Sequence, residues 1–178
     1  MVKRKYLFIE GTKDTTNGNL REGFSKLIEQ KAKQKMPTIS MGEGKSQAID
    51  KFLNSVDSKL LCDLDDVESQ IENDLKSYNL VGKKDSVFYM IQEMESWFIS
   101  QPNILDKFYG ESISLKLAKK PSKLFSEPDK ELQKLTKSNK KKGQYHKVSH
   151  GAQLLKMLDA NKLYNDFPDF KKLIDSLK

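Results

Sequence analysis

Four short strand-like runs alternate with amphipathic helical stretches over the first hundred residues, and this alternation constrains the fold more than any other feature. The runs lie at residues 6–9, 37–41, 59–62 and 87–91; three of them are almost wholly apolar, and the run at 37–41 is weaker. Strands that are apolar throughout are typical of parallel sheets covered by helices on both faces. The sequence therefore predicts an α/β fold, a doubly wound sheet of about four mainly parallel strands.

The second half of the chain differs in charge. Residues 1–100 carry 15 basic and 16 acidic side chains, whereas residues 101–178 carry 17 and 9. We predict an α/β core over 1–100 and a basic, mostly helical extension over 101–178 that packs on it. The Lys-rich stretch 116–143 is predicted to be irregular, and two helices separated by a turn at 165–168 are predicted to close the chain. A basic region attracts polyanions, although lysines on loops are also often simply solvated.

Composition excludes several classes of protein. The single cysteine, Cys62, excludes a disulfide framework and a cysteine-based zinc site, and it suggests a reducing compartment. No apolar run approaches the ~20 residues that span a bilayer, and the apolar stretch near the start is too short for a signal peptide. We expect a cytoplasmic protein that does not enter a membrane.

Carboxylates follow the predicted strands at the ends where ligands bind in parallel sheets. Glu10 and Asp14 follow the first strand, and Asp63 and Asp65 follow the third. Hard divalent cations prefer such oxygen ligands, and two ions bridged by a phosphate can activate water and stabilise a leaving oxygen. The alternative is that these residues cap helices, since carboxylates favour helix N-termini. Their occurrence together at one edge of the sheet favours a site.

These motifs resemble those of a known fold. The string Tyr-Leu-Phe-Ile-Glu-Gly at 6–11, followed by Leu-Leu-Cys-Asp-Leu-Asp at 60–65, resembles the TOPRIM domain of topoisomerases, bacterial primases, RecR and OLD-type nucleases. The strings at 93–97 and 145–155 resemble the TOPRIM-like domain-of-unknown-function family 4276, which is related to RloB, and the ending at 165–170 also fits that family. The resemblance spans most of the chain and implies a TOPRIM-like sheet.

The resemblance also implies a function. It implies a magnesium-dependent (or manganese-dependent) endonuclease that hydrolyses DNA or RNA, often with an AAA- or ABC-type partner ATPase in phage defence. By motif, four carboxylates would be metal ligands: Glu10, Asp14, Asp63 and Asp65. Glu95 would be a further acidic ligand or orienting residue, and Lys147 would match a lysine that steadies phosphate charge. Topoisomerases and primases need further domains for which this chain has no room.

Several basic residues are candidates for contacts with nucleic acid. Lys45 lies in Gly-Glu-Gly-Lys-Ser at 42–46, which imitates the end of a P-loop but has Ile39 where the first glycine is needed, so a turn that binds a nucleic-acid phosphate is the preferred interpretation. The other candidates for nucleic-acid binding are Lys140, Lys141, Lys142, Lys147 and His150. His146 and His150 also have the spacing of a helical metal pair.

Two other functions remain open from the sequence. The first is a non-catalytic partner of an ATPase that binds nucleic acid or regulates the complex. The second is a glycosyltransferase that uses Asp63 and Asp65 to hold a metal–nucleotide-sugar, which would leave Glu10 unexplained.

Overall fold

The computed structural model describes residues 5–13 and 17–178 and has an α/β fold. Within those ranges, four strands form one sheet in the order β2-β1-β3-β4, and every neighbouring pair is parallel. The strands are β1 (Tyr6–Ile9), β2 (Thr38–Met41), β3 (Ser58–Asp63) and β4 (Val87–Met90). The predicted parallel sheet is confirmed.

Helices surround this sheet. In the described part of the chain they are α1 (Asn17–Ala32), α2 (Lys45–Leu53), α3 (Ile71–Ser77), α4 (Glu95–Ile99), α5 (Pro102–Tyr109), α6 (Pro128–Thr136), α7 (Ser149–Met157), α8 (Ala160–Asp166) and α9 (Pro168–Leu177). None of these helices combines the length and the apolar character that crossing a membrane requires.

Two predictions about the second half are wrong in detail. The stretch 116–143 is not irregular throughout, because α6 forms within it and starts at Pro128, where the missing N–H of proline costs no helical hydrogen bond. The chain closes with three helices rather than two. Leu158 is extended after α7, and the side chain of Asp159 then accepts a 2.8 Å hydrogen bond from Asn161 N–H, which caps α8.

The sheet has a separate apolar core on each face. Successive side chains of a strand point to opposite faces, so Leu7 and Ile9 join one core while Phe8 joins the other. The smaller core lies under α2 and α3, and the larger one lies under α1 and the helices of the second half. The predicted helical cover on both faces is therefore confirmed, and residues after 100 complete the larger core.

The edge strand β4 is closed by the last helix. Asp169, in the first turn of α9, accepts a 3.0 Å hydrogen bond at Oδ2 from the backbone N–H of Tyr89. An edge strand otherwise presents unpaired N–H groups to solvent or to another chain. This carboxylate therefore supplies a hydrogen-bond partner for one N–H at the open edge of β4.

Candidate functional site

Two carboxylates that are 53 positions apart in sequence meet at the carboxyl end of the sheet. Ile9 pairs with Leu61 in the parallel register, so Glu10 and Asp63 follow at the same edge. The backbone N–H of Glu10 donates to Leu61 O at 3.0 Å, and Glu10 Oε2 accepts from the backbone N–H of Asp63 at 3.0 Å. The register of β1 and β3 thus brings these two predicted site residues together.

Asp63 joins three segments of the chain. Its Oδ1 accepts a 2.7 Å hydrogen bond from the backbone N–H of Met94, just before α4. Its Oδ2 lies 2.9 Å from Nζ of Lys147, in the loop before α7. The backbone N–H of Asp63 also donates to Glu10 Oε2. Because Asp63 is only 2% exposed, these contacts fix the position of its carboxylate.

Glu95 lies on the other side of the same lysine. It is fully buried at the start of α4, where its Oε1 accepts a 2.7 Å hydrogen bond from the hydroxyl of Tyr145. Its Oε2 has no hydrogen-bond partner and lies 3.9 Å from Lys147 Nζ. A buried carboxylate oxygen without a hydrogen bond is costly, so this oxygen is available to a ligand.

Asp65 is more exposed than Asp63 and is held by a different lysine. It lies beyond β3 with φ of 61°, a left-handed conformation that aspartate tolerates better than most residues. Its Oδ2 lies 3.7 Å from Nζ of Lys45, which is also 3.0 Å from Asp74 Oδ1. Tyr89 donates to the second oxygen of Asp74 at 2.7 Å. Lys45 is therefore held inside the protein by its contacts with Asp65 and Asp74.

Burial and mutual repulsion shift the protonation of the cluster. Burial, followed by the charges of Asp63 and Asp65, raises the pKa of Glu10 to about 8. Burial also raises the pKa of Glu95 to about 6, although Lys147 opposes this shift. Burial alone would lower the pKa of Lys147, but Asp63, Glu95 and Glu10 reverse this and raise it. Lys147 is thus a cation at all physiological pH values, and burial disfavours the charged forms of Glu10 and Glu95 beside it.

Glu93 is a site residue that the sequence analysis did not assign. Burial and the charge of Glu95 raise its pKa to about 8, and its buried Oε2 has no hydrogen-bond partner. The signal in the sequence was the spacing Glu-x-Glu directly after β4. Because both glutamates follow a strand that neighbours β3, they lie at the same edge as Asp63.

The predicted nucleic-acid contacts fall into different environments. Lys140, Lys141 and Lys142 are exposed in the turn after α6. His150 is instead buried among aromatic rings, and its Nδ1 lies 3.1 Å from the hydroxyl of Tyr109. Burial lowers the pKa of His150, so the ring has a neutral packing role in this structure. Asp14 lies outside the described residues.

The donor atoms of the cluster suit a hard divalent cation, but they do not surround one. Within residues 5–13 and 17–178, no three His, Cys, Asp or Glu side chains stand close enough together to hold a metal ion. The ammonium group of Lys147 lies between two of the candidate ligands, Asp63 and Glu95. The buried oxygens of Glu93 and Glu95 without hydrogen bonds nevertheless fit the oxygen-ligand chemistry of Mg²⁺ or Mn²⁺.

Fold and site together define an α/β protein whose parallel sheet carries an acidic cluster with a central lysine at its carboxyl edge. The chain belongs to the family described as Domain of unknown function (DUF4276), whose family model matches residues 14–178. The match includes Asp63, Glu95 and Lys147, whereas Glu10 precedes it. No curated protein and no solved structure matches the chain.

Proposed function

We propose that this protein is a magnesium-dependent endonuclease, a hydrolase of phosphodiester bonds in DNA or RNA. The observation that carries the proposal is the cluster itself: Glu10, Asp63 and Glu95 are gathered around Lys147 by three different segments. Like charges that are this close and this buried raise the free energy of the fold, so a cluster of this kind favours a functional role. Its place beyond the carboxyl ends of the strands is where α/β sheets bind ligands.

In this proposal the carboxylates of the cluster would bind a cation, and Lys147 would bind the phosphate. Glu10, Asp63 and Asp65, with Asp14, would hold Mg²⁺ or Mn²⁺, and Glu95 with Glu93 would complete or orient that set. When bound, such an ion polarises the phosphodiester and lowers the pKa of water. Lys147 would compensate the negative charge of the scissile phosphate, and Tyr145 would hold Glu95 in place. The water oxygen forms the new bond to phosphorus, and the displaced oxygen leaves with a proton.

Charge supports a nucleic-acid substrate. The basic extension supplies the exposed lysines at 140–142, which precede Tyr145 and Lys147 by only a few residues. We propose that a phosphate chain binds along these lysines, on the loop that also carries Lys147, and each neutralised phosphate releases counterions. Lys45 and His150 do not take part in this proposal, because both are engaged inside the protein.

The wider setting follows from the resemblance to TOPRIM-like, RloB-related and OLD-type nucleases. We propose a cytoplasmic phage-defence effector that acts with an AAA- or ABC-type ATPase. A second candidate is a non-catalytic subunit of such a complex that binds nucleic acid or regulates the ATPase. The observation that favours it is the contact between Lys147 and Asp63, because this ammonium group neutralises part of the cluster without a metal ion.

One substitution tests the catalytic proposal. Asp63→Asn keeps the shape of the side chain and an oxygen for the Met94 N–H but removes the charge, so we expect loss of magnesium-dependent cleavage across DNA, RNA and tRNA substrates. The matched control is Asp66→Asn, because Asp66 is exposed and its Oδ1 accepts from the adjacent Val67 N–H. Circular dichroism checks the fold. Cleavage that survives in Asp63→Asn overturns the assignment, and binding without cleavage in the wild type with every metal favours the non-catalytic candidate.

A further inference from the structure

Lys147 occupies the centre of the acidic cluster. Its Nζ lies 2.9 Å from Asp63 Oδ2 and 3.9 Å from Glu95 Oε2, and the charge of Glu10 also acts on it. Two of these three carboxylates are almost completely buried, and Glu95 Oε2 has no hydrogen bond. Lys147 is thus the cation that stabilises the cluster in this structure.

A divalent ion and Lys147 would compete for the same oxygens. An ion bound through Asp63 Oδ2 would contact the oxygen that lies 2.9 Å from Lys147 Nζ, and two positive charges within a few ångströms repel each other. Conversely, a cluster that lost Lys147 without gaining a cation would leave buried carboxylates uncompensated. Lysine and divalent ion are therefore competing partners of one set of oxygens.

The lysine also has room to move. Its side chain is 39% exposed, whereas those of Asp63 and Glu95 are 3% and 0% exposed. Residues 141–147 lie in a loop, between helices α6 and α7. The carboxylates are fixed by backbone and tyrosine hydrogen bonds, while the ammonium group lies at the end of a flexible four-carbon chain.

We propose that Lys147 and a divalent cation are alternative occupants of the carboxylate cluster, and that cation binding displaces the Lys147 ammonium group toward the incoming phosphate. This inference rests on the proposed function, because it assigns the cation to the same site. Binding of the cation would then free Lys147 to bind the phosphate.

Metal affinity tests the exchange without any need for catalysis. Lys147→Met removes the competitor, and we expect Mn²⁺ to bind about tenfold more tightly by isothermal titration calorimetry, since a charge-assisted contact must no longer be broken. Lys156→Met is the matched control. The Lys156 side chain is 38% exposed and its Nζ lies 3.0 Å from Glu22 Oε1. Its replacement therefore removes the same charge and a similar ion pair. We expect its Mn²⁺ affinity to equal that of the wild type.

A second measurement uses the wild-type chain and therefore does not depend on a variant that folds. Lysine acetylation by an active ester, quantified by mass spectrometry, should become several-fold faster at Lys147 when Mn²⁺ is added, while Lys156 reacts at an unchanged rate. If Mn²⁺ binds the wild type but leaves both the acetylation of Lys147 and the affinity of Lys147→Met unchanged, the exchange is overturned and the nuclease proposal stands. If neither protein binds Mn²⁺ at millimolar concentration, both proposals are overturned.

Discussion

The hydroxyl of Tyr145 donates a 2.7 Å hydrogen bond to Oε1 of Glu95, and both side chains are buried. Tyr145 is itself held by its backbone N–H, which donates to Thr136 Oγ1 at 2.7 Å. The end of α6 thus fixes a tyrosine that in turn fixes a carboxylate of the cluster. Tyr145 is a positioning residue for the proposed reaction.

We predict that Tyr145→Phe lowers the turnover of nucleic-acid cleavage by about five- to tenfold, because one hydrogen bond of about 1–1.5 kcal/mol to Glu95 is lost. The control is Tyr109→Phe, since the Tyr109 hydroxyl contacts His150 rather than a carboxylate. Thermal unfolding should show a similar small loss of stability for both variants. Equal turnover in the two variants would show that Tyr145 has only a packing role.

The protonation of Glu10 predicts a pH-dependent stability. Its pKa is about 8 in the folded chain against an ordinary value of 4.5, chiefly because of burial. The folded state therefore binds more protons between these values, so the stabilisation is complete below about 4.5 and is lost as pH rises through about 8. In EDTA, the melting temperature of the wild type should fall between about pH 5 and about pH 8.5, and Glu10→Gln should fall less. Parallel pH profiles of the two proteins would contradict this assignment.

The contact between Asp169 and Tyr89 predicts a stability effect far from the acidic cluster. Asp169→Ala leaves the Tyr89 N–H on edge strand β4 without its partner, so we expect a loss of about 1–3 kcal/mol in the free energy of unfolding. Asp175→Ala on the same helix is the control, since the contacts of Asp175 with Tyr164 and Lys178 are exposed. Urea unfolding measures both variants, and an equal effect would show that the edge is not stabilised by Asp169.

The lysines at 140–142 predict the salt dependence of nucleic-acid binding. Replacing Lys140, Lys141 and Lys142 by glutamine should weaken binding and reduce the slope of log affinity against log salt by about one per lysine that contacts a phosphate. The triple variant of the exposed residues Lys26, Lys76 and Lys84 removes the same charge elsewhere. Fluorescence anisotropy with a labelled oligonucleotide measures both, and identical slopes would exclude the 140–142 turn from the interface.

The sequence predicted the sheet well because three of the four strand runs are almost wholly apolar, and each run has a distinct ending. The convergence of Glu10 and Asp63 also followed from that pattern, since parallel strands end at one edge. The environments of Lys45 and His150 could not be predicted in this way. Lys45 is engaged because Asp74 on α3 reaches it, and His150 is buried because α5 brings Phe108 and Tyr109 against it.

The break between α7 and α8 was missed for a local reason. The apolar spacing in this region is compatible with continued helix, and the two elements are separated by the extended backbone of Leu158 and the capping hydrogen bond of Asp159. Glu93 was not assigned because the Glu-x-Glu spacing after β4 does not by itself show that the side chain of Glu93 is partly buried. Its burial depends on packing that only the folded chain supplies.

The acidic residues of the cluster all precede residue 100, whereas its ammonium group belongs to Lys147. This order matters during synthesis of the chain. A nascent polypeptide that has left the ribosome only as far as α6 holds the carboxylates but neither Tyr145 nor Lys147. Such an intermediate lacks a complete reaction centre. Under the proposed function, cleavage would therefore begin only after the loop that carries Tyr145 and Lys147 has joined the cluster.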